Sequence, residues 1–303
     1  MYATTRSLFR NGQELLYLNS FFSLRYTFLS LLFKGRRPVL LAPRGELLPG
    51  GVASKSLRKK IYIYFMRISG LCRDIHWHAT SEAERDAILS WRLGNGPVYL
   101  VPDFPGLLPA WAPQQEKSPG ELRILFLARI HPSKGLHRLL ALLPLISGKI
   151  YLRIIGPASD SAYEKSCKEQ IRLLPSSIDV SWEGPLPHSA AIAAFRWAHV
   201  YVLPTVSENH GYSIQESLQS GCPVIIGRQT PWSALLGMSA GLDLDIEDQS
   251  AWIRAINQFI GMDETELSVW RTQARRIGER SSDQEHLLDA TLSMIQGSSE
   301  ALR

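Results

Sequence analysis

The chain has 303 residues and a formal net charge of +5, enough for two ordinary domains with a mildly basic surface. Apolar residues at 45% and charged residues at 20% exclude a disordered or low-complexity chain. The basic balance suits anionic ligands or an anionic membrane surface, but no recognition module accompanies it, so nucleic acid is not an expected partner.

The start, MYATTRSLFRNGQELLYL, lacks the charged-then-apolar layout of a signal peptide. Residues 15–33 are apolar over nearly the length of a bilayer span. Asn19, Ser20 and Arg25 interrupt them, which predicts a strand, a turn and a buried helix. Strand-like runs follow at 39–42, 75–79 and 98–101, and again at 123–128, 151–155, 178–182, 199–203 and 223–226. Amphipathic stretches separate most of them. Such alternation predicts parallel sheets covered by helices. The proline-rich stretch VPDFPGLLPAWAPQQEKSPG reads as a linker. The expected division is a first domain over 1–105, a linker over 106–120, a second domain over 121–282, and a terminal helix over 283–303 that packs across the domains. Cys72, Cys167 and Cys222 are scattered without metal-ligand or redox spacing, and imply a reduced, cytoplasmic setting.

Between Lys34 and Arg73 the only acid is Glu46. Leu57, Ile61, Tyr64, Phe65 and Ile68 share one helical face, with Lys55, Arg58, Lys59, Lys60 and Arg67 around it. That face is expected to pack on the domain's own sheet. The basic rim is left to meet anionic headgroups or a lipid-diphosphate acceptor. Arg44 and Gly45, in PRGELLPGG, follow a strand and either face a cleft or form a surface turn. His76 and His78 lie on one face of a strand, but no third ligand has suitable spacing, so no metal is expected. His78, near the strand end, is a cleft candidate. Ser81 and Glu84 have the spacing of a capping box.

Three strand-to-loop transitions carry candidates in the second half. In LFLARIHPSKGLHRLLAL, Arg129 and Lys134 occupy a loop before a helix. They suit a phosphate group, or are two solvated charges. In RIIGPASD, Gly156 permits close backbone approach, or simply a tight turn. In WEGPLPHSAAIAAF, the loop with Pro185 and Leu186 has room for a flat base. A fourth, SENHGYSIQESLQSGCPVI, follows a buried strand. Its Glu208 precedes Asn209, His210, Gly211, Tyr212 and Ser213, and its Glu216 is placed in the first turn of a helix starting at Ser213. Ser213 to Glu216 also has capping-box spacing, and Glu208 also reads as a solvated loop acid. Acids that accept from sugar hydroxyls, beside cations that bind diphosphate, match the two halves of a nucleotide-diphosphate sugar.

These motifs, with seven residues between Glu208 and Glu216, resemble the second domain of a retaining GT-B-fold glycosyltransferase. The family is the large group 1 family that includes bacterial lipopolysaccharide and exopolysaccharide transferases. LLYLNSFFS, LLAPRGELLPGG, SLRKKIYIYF and IHWHATSEAE resemble the later part of its acceptor domain. The family's earliest strands and glycine-rich loop are not found ahead of them, so an incomplete first domain is expected. The implied fold class is α/β and GT-B-like, two Rossmann-like parallel-sheet domains facing a cleft. The implied activity is metal-independent transfer of a hexosyl-type sugar from a nucleotide sugar to a glycan or lipid-linked acceptor in cell-surface polysaccharide synthesis. No cofactor is implied beyond the donor. The implied place is the cytoplasm, with a peripheral contact on the inner face of the membrane. Glu208, Arg129 and Lys134 would be catalytic: Glu208 beside the transferred sugar, the cations on the diphosphate. Glu216 would hold the ribose, and the 211–213 amides the phosphate or sugar. His210 stands where an apolar aromatic is more usual. Two other classes stand beside this reading: a nucleotide-sugar-binding remnant or partner subunit without transferase activity, and a basic peripheral membrane module.

Overall fold

The computed structural model describes residues 15–53, 56–104, 109–110, 112, 114–232, 235–281 and 284–300. The expectations for the extreme N-terminus, for Lys55 and for much of the proline-rich linker fall outside the described residues. The chain forms two compact units, one running to residue 104 and regaining 284–300, the other spanning 109–281.

The first unit is built on a four-stranded parallel sheet in the order β1-β2-β3-β4: β1 (Leu16–Asn19), β2 (Val39–Ala42), β3 (His76–Ala79) and β4 (Val98–Leu100). Its helical elements are a π-helical turn (Leu24–Phe28) running into α1 (Leu29–Leu32), then α2 (Pro49–Ala53), α3 (Ser56–Ile68) and α4 (Glu82–Trp91). β2 and β3 are buried on both faces, which is why VLLA and HWHA show no solvent-facing alternation. Phe21, Leu41, Ile63, Met66 and Trp77 pack together as the core. Ser81 caps α4 by accepting from Glu84 N at 3.2 Å. The Glu84 carboxylate is buried, and it accepts from Thr80 N at 2.8 Å and from Gly45 N.

Two expectations for this unit fail. The helix after β1 is buried on one side only: Leu31 reaches the core, while Leu24, Leu29, Leu32 and Phe33 are exposed. Nor does the predicted face of α3 meet the sheet. Leu57, Ile61, Tyr64, Phe65 and Ile68 are all exposed, while Ile63 and Met66 point into the core. The physical reason is a second apolar stripe, Tyr62, Ile63 and Met66, on the opposite side of the helix. No helix among the described residues is long and apolar enough to cross a membrane.

The second unit is a six-stranded parallel sheet in the order β10-β9-β8-β5-β6-β7. The strands are β5 (Glu121–Leu127), β6 (Lys149–Ile155), β7 (Ile178–Gly184), β8 (Val200–Leu203), β9 (Val224–Gly227) and β10 (Gly241–Leu244). They alternate with α5 (Leu136–Leu142), α6 (Ser161–Arg172), α7 (His188–Trp197) and α8 (Tyr212–Gln219), and α9 (Gln249–Gly261) and α10 (Glu264–Arg280) follow. The chain winds outward from β5 to β7, returns to β8 on the other side of β5, and winds outward again to β10. Ligands of open α/β sheets bind outside the carboxyl ends of strands at such a reversal, here between β5 and β8. β10 was not anticipated, because Gly241 and Asp243 break up its apolar run.

The segment entering this unit is tied down by buried charge. Lys117 is 4% exposed and donates to the carbonyls of Ser118, Ile260 and Met262 at 2.8–3.0 Å, a cation at the C-terminus of α9. α10 crosses the end of α8 at Gly278, where an added Cβ would stand 2.4 Å from Gln219 N. The C-terminal helix α11 (Gln284–Glu300) returns to the first unit, with Met294 against Leu40 and Val101.

We expect Gly278→Ala to destabilise the protein by about 1–3 kcal/mol through overpacking of α10 on α8. Chemical denaturation would measure it, and an unchanged midpoint would refute the close approach. His199, just before β8, accepts from Arg123 N at Nδ1 and donates from Nε2 to Glu116 O. Burial pushes its pKa from 6.5 down to about 3. As pH falls through that window the unfolded chain takes up a proton that the folded chain refuses, so stability should fall. His199→Asn, which keeps an acceptor for Arg123 N, should flatten that acid loss in Tm measured against pH.

Candidate functional site

The loops after β5 and β8 are fastened together. β5 leads through a 3-10 turn, Pro132–Lys134, and Gly135 into α5. Gly135 has φ +76°, and an added Cβ would lie 2.0 Å from Pro204 O at the end of β8. Val206 N donates to Ser133 O at 2.9 Å, and Thr205 Oγ1 donates to the same oxygen at 3.2 Å. Glu208 N is held by Gln229 O at 3.0 Å. Because the two loops are fixed, the Lys134 ammonium meets the Glu208 carboxylate in a direct ion pair. The side chains are only 16% and 12% exposed, so the pair is shielded from water.

Arg129 is exposed on the same loop and makes no ion pair among the described residues. His131, not singled out in the sequence, caps the 3-10 turn by accepting from Ser133 N at Nδ1. Burial and the nearby charges of Arg129 and Lys134 hold its pKa below the ordinary value, which favours the neutral ring. Gly156 ends β6 with φ +143°, and a Cβ there would lie 1.9 Å from Ala128 O. Its missing side chain therefore lets the end of β6 close on the Arg129 loop. Pro185 and Leu186 follow β7 on an adjoining loop, Pro185 exposed and Leu186 half-buried.

The helix carrying Glu216 is not capped as its spacing suggests. α8 begins at Tyr212, and its N-cap is Gly211 at φ +78°, with no side-chain cap. Ser213 Oγ lies 2.8 Å from the hydroxyl of Tyr201, which itself donates to Leu127 O at 3.0 Å. Burial raises the Tyr201 pKa well above the phenol range, so that proton stays in place. With Ser213 committed to Tyr201 and α8 starting one residue earlier, at Tyr212, Glu216 lies past the capping position and plays no capping part. Its carboxylate is 3.6 Å from His188 Nδ1, at the start of α7. Burial raises its pKa, and proximity to His188 offsets part of the rise.

Beside Glu208, the His210 ring lies 4.6 Å from Tyr212 and 6.4 Å from Trp232. Trp232 Nε1 donates to His210 O at 2.7 Å, and His210 Nε2 lies 3.0 Å from Gln215 Oε1. An added Cβ on Gly211 would crowd Ile214 at 2.9 Å and Trp232 at 3.3 Å. Trp232 and His188 had no sequence signal, since neither sits in a recognisable spacing. Asn209 is half-buried on this loop. The second unit thus gathers Arg129, Lys134, Gly156, Glu208–Ser213 and Glu216 at the carboxyl ends of its strands.

A separate polar cluster occupies the carboxyl ends of the strands in the first unit. Arg44, at φ +56°, ion-pairs with Asp103 and donates to Asn19 Oδ1 at 2.8 Å and to Tyr17 Oη at 3.0 Å. The Tyr17 hydroxyl meets His78 Nδ1, and His78 Nε2 donates to Val101 O at 2.7 Å. His78 is 4% exposed with both ring nitrogens engaged, so it acts on Tyr17 and Arg44 rather than reaching a ligand itself. Among the described residues no cluster of His, Cys, Asp or Glu could hold a metal ion.

The α/β architecture of two parallel-sheet units matches solved GT-B glycosyltransferases. Sucrose-phosphate synthase from Thermosynechococcus elongatus aligns over 93% of this chain and 73% of its own, with TM-score 0.72 and 16% identity. Anabaena Alr3699/HepE, solved with UDP and glucose, aligns over 93% of this chain and 78% of its own, with TM-score 0.68 and 18% identity. In sequence, D-inositol 3-phosphate glycosyltransferase of Corynebacterium glutamicum (strain R) is 26% identical over 154 residues. That match spans 48% of this chain but only 37% of the relative. Residues 109–277 match the family described as glycosyl transferases group 1, over more than half of the 303 residues. The chain belongs to the group 1 glycosyltransferases.

Proposed function

We propose that the protein transfers a sugar from a nucleotide-diphosphate donor to a glycan or lipid-linked acceptor, with retention of configuration, in the synthesis of cell-surface polysaccharide. The observation that carries this reading is the Lys134–Glu208 pair at the reversal between β5 and β8. Unliganded, each charge neutralises the other. A diphosphate offers Lys134 a stronger partner, with Arg129 as the second cation. Glu208, released, accepts from hydroxyls of the transferred sugar. The amides opening α8 and its dipole favour the phosphate or sugar oxygens. Glu216 accepts from the ribose hydroxyls, which replace the water that its half-buried carboxylate has lost. The loop of Pro185 and Leu186 admits the base.

As the glycosidic bond breaks, negative charge grows on the leaving diphosphate. Fixed cations already aimed at it lower that barrier without solvent reorganisation. This is the charge-stabilising part that metal ions play at other diphosphates, supplied here by side chains. The departing phosphate oxygen can accept the acceptor's hydroxyl proton on the same face, which gives retention without a covalent intermediate. We place the reaction in the cytoplasm. Arg44, Gly45 and, through Tyr17, His78 make up the acceptor side.

Lys134→Ala should lower kcat roughly a hundredfold to a thousandfold while the far-ultraviolet circular dichroism is unchanged. A folded variant with near-parent turnover would remove Lys134 from the mechanism. Glu216→Gln should weaken donor binding by about tenfold, the loss of one strong hydrogen bond to a charged group. The same change should raise the Tm of the unliganded protein at neutral pH. Burial raises the folded-state pKa of Glu216, so its charge is a full burden above that value, a shrinking one below it, and none below the unfolded-state value. The Tm difference should therefore disappear as pH falls through the carboxylate range. A panel of nucleotide-diphosphate sugars in a thermal-shift assay, followed by transfer to membrane-extracted acceptors, tests the whole reading. Binding without transfer would instead mark a nucleotide-sugar-binding partner subunit.

A further inference from the structure

α3 has two apolar faces. Tyr62, Ile63 and Met66 pack into the first unit's core, and the nearly opposite side carries Leu57, Ile61, Tyr64, Phe65 and Ile68. This second stripe is open, from 44% exposure at Phe65 to 72% at Leu57. At 3.6 residues per turn, Arg58 flanks the stripe on one side and Lys60 and Arg67 on the other, all three exposed. The stripe does not end with the helix. The Phe65 ring lies 5.9 Å from Phe28, which joins it to the exposed residues around α1: Leu24, Leu29, Leu32 and Phe33. Arg25, Arg36 and Arg37, also exposed, surround that end. Neither 24–37 nor 56–68 contains an acid.

We propose that this joint face of α1 and α3 seats the protein on the surface of an anionic phospholipid bilayer. The aliphatic and aromatic side chains enter the boundary between headgroups and acyl chains, and the flanking cations lie level with the lipid phosphates. The exposed Tyr26 and Tyr64 suit the same interfacial depth. Charge complementarity chooses this occupant: over 24–37 and 56–68 every charge is positive, and an anionic bilayer offers phosphates along the whole length of an apolar stripe edged by cations. The proposal rests on the first unit alone and is independent of the donor site.

Co-sedimentation of the full chain with vesicles tests it. Binding should be strong to vesicles containing phosphatidylglycerol, weak to phosphatidylcholine alone, and should fall as salt rises. Ile61→Asp with Ile68→Asp should weaken vesicle binding at least about tenfold, by placing charge in the apolar boundary. Circular dichroism and the donor thermal shift should not change. Arg58→Gln, Lys60→Gln and Arg67→Gln together should abolish the preference for anionic vesicles. The proposal is overturned if the folded parent ignores anionic vesicles at low salt, or if either variant binds as the parent does. It is also overturned if the face instead mediates a dimer, seen in sedimentation velocity, that Ile61→Asp with Ile68→Asp dissolves.

Discussion

Two opposite charges with little water around them govern the second unit. Lys134 and Glu208 are 16% and 12% exposed, and either alone would leave an ion poorly solvated. Their pairing settles the unliganded state without fixing it permanently. An arriving diphosphate can take the cation only if something else satisfies the carboxylate. In the function we propose, sugar hydroxyls on the same molecule do that, whereas a bare nucleotide diphosphate does not. On that reading the pair couples recognition of the two ends of the donor: a free diphosphate would draw Lys134 away and strand Glu208, so the intact donor would be the better ligand.

Such coupling needs the two side chains held to within a hydrogen bond, although 74 positions separate them. The scaffold does this with backbone rather than with further charge. Gly135 lets the turn after β5 touch Pro204 O, and Ser133 O takes donors from both Thr205 and Val206. Beneath them the Tyr201 hydroxyl links Leu127 at the end of β5 to Ser213 on α8. The chain thus closes a triangle among β5, β8 and α8, and Gly278 lets α10 press on the far end of α8. Glu216 is carried by the same rigid helix. Burial raises its pKa, an under-solvation that the ribose hydroxyls of the donor we propose would relieve.

What the sequence discloses follows from which physical signals are local. Buried parallel strands are short apolar runs, so nine of the ten show in the sequence, and β10 hides because Gly241 and Asp243 interrupt it. The glutamate spacing and the Arg129–Lys134 loop are legible because a strand followed by a helix puts its connecting loop at the sheet's carboxyl edge. Partners chosen by tertiary packing are not legible. Trp232, which holds the His210 carbonyl, and His188, which faces Glu216, carry no spacing of their own. The Ser213 hydroxyl looks like a cap until the fold supplies Tyr201 as a competing partner. A capping box is a local pattern, and tertiary hydrogen bonds override it.

α3 shows the same limit from the hydrophobic side. Periodicity identifies an apolar face, but a helix with two such faces does not say which one the sheet will take. The face chosen, with Ile63 and Met66, carries one cation, Lys59, while Arg58 and Arg67 lie at the boundaries between the two faces. Lys59 is accommodated there because its ammonium reaches back to Gly51 O and over the Phe22 ring. What selects this face is tertiary: Phe21, Leu41 and Trp77 of the first unit's core receive Ile63 and Met66. Arg58, Lys60 and Arg67 stay exposed beside the outer stripe, and no acid in either neighbouring helical segment is there to receive them. Periodicity sees two apolar faces, and the packing partner that decides between them is distant in sequence.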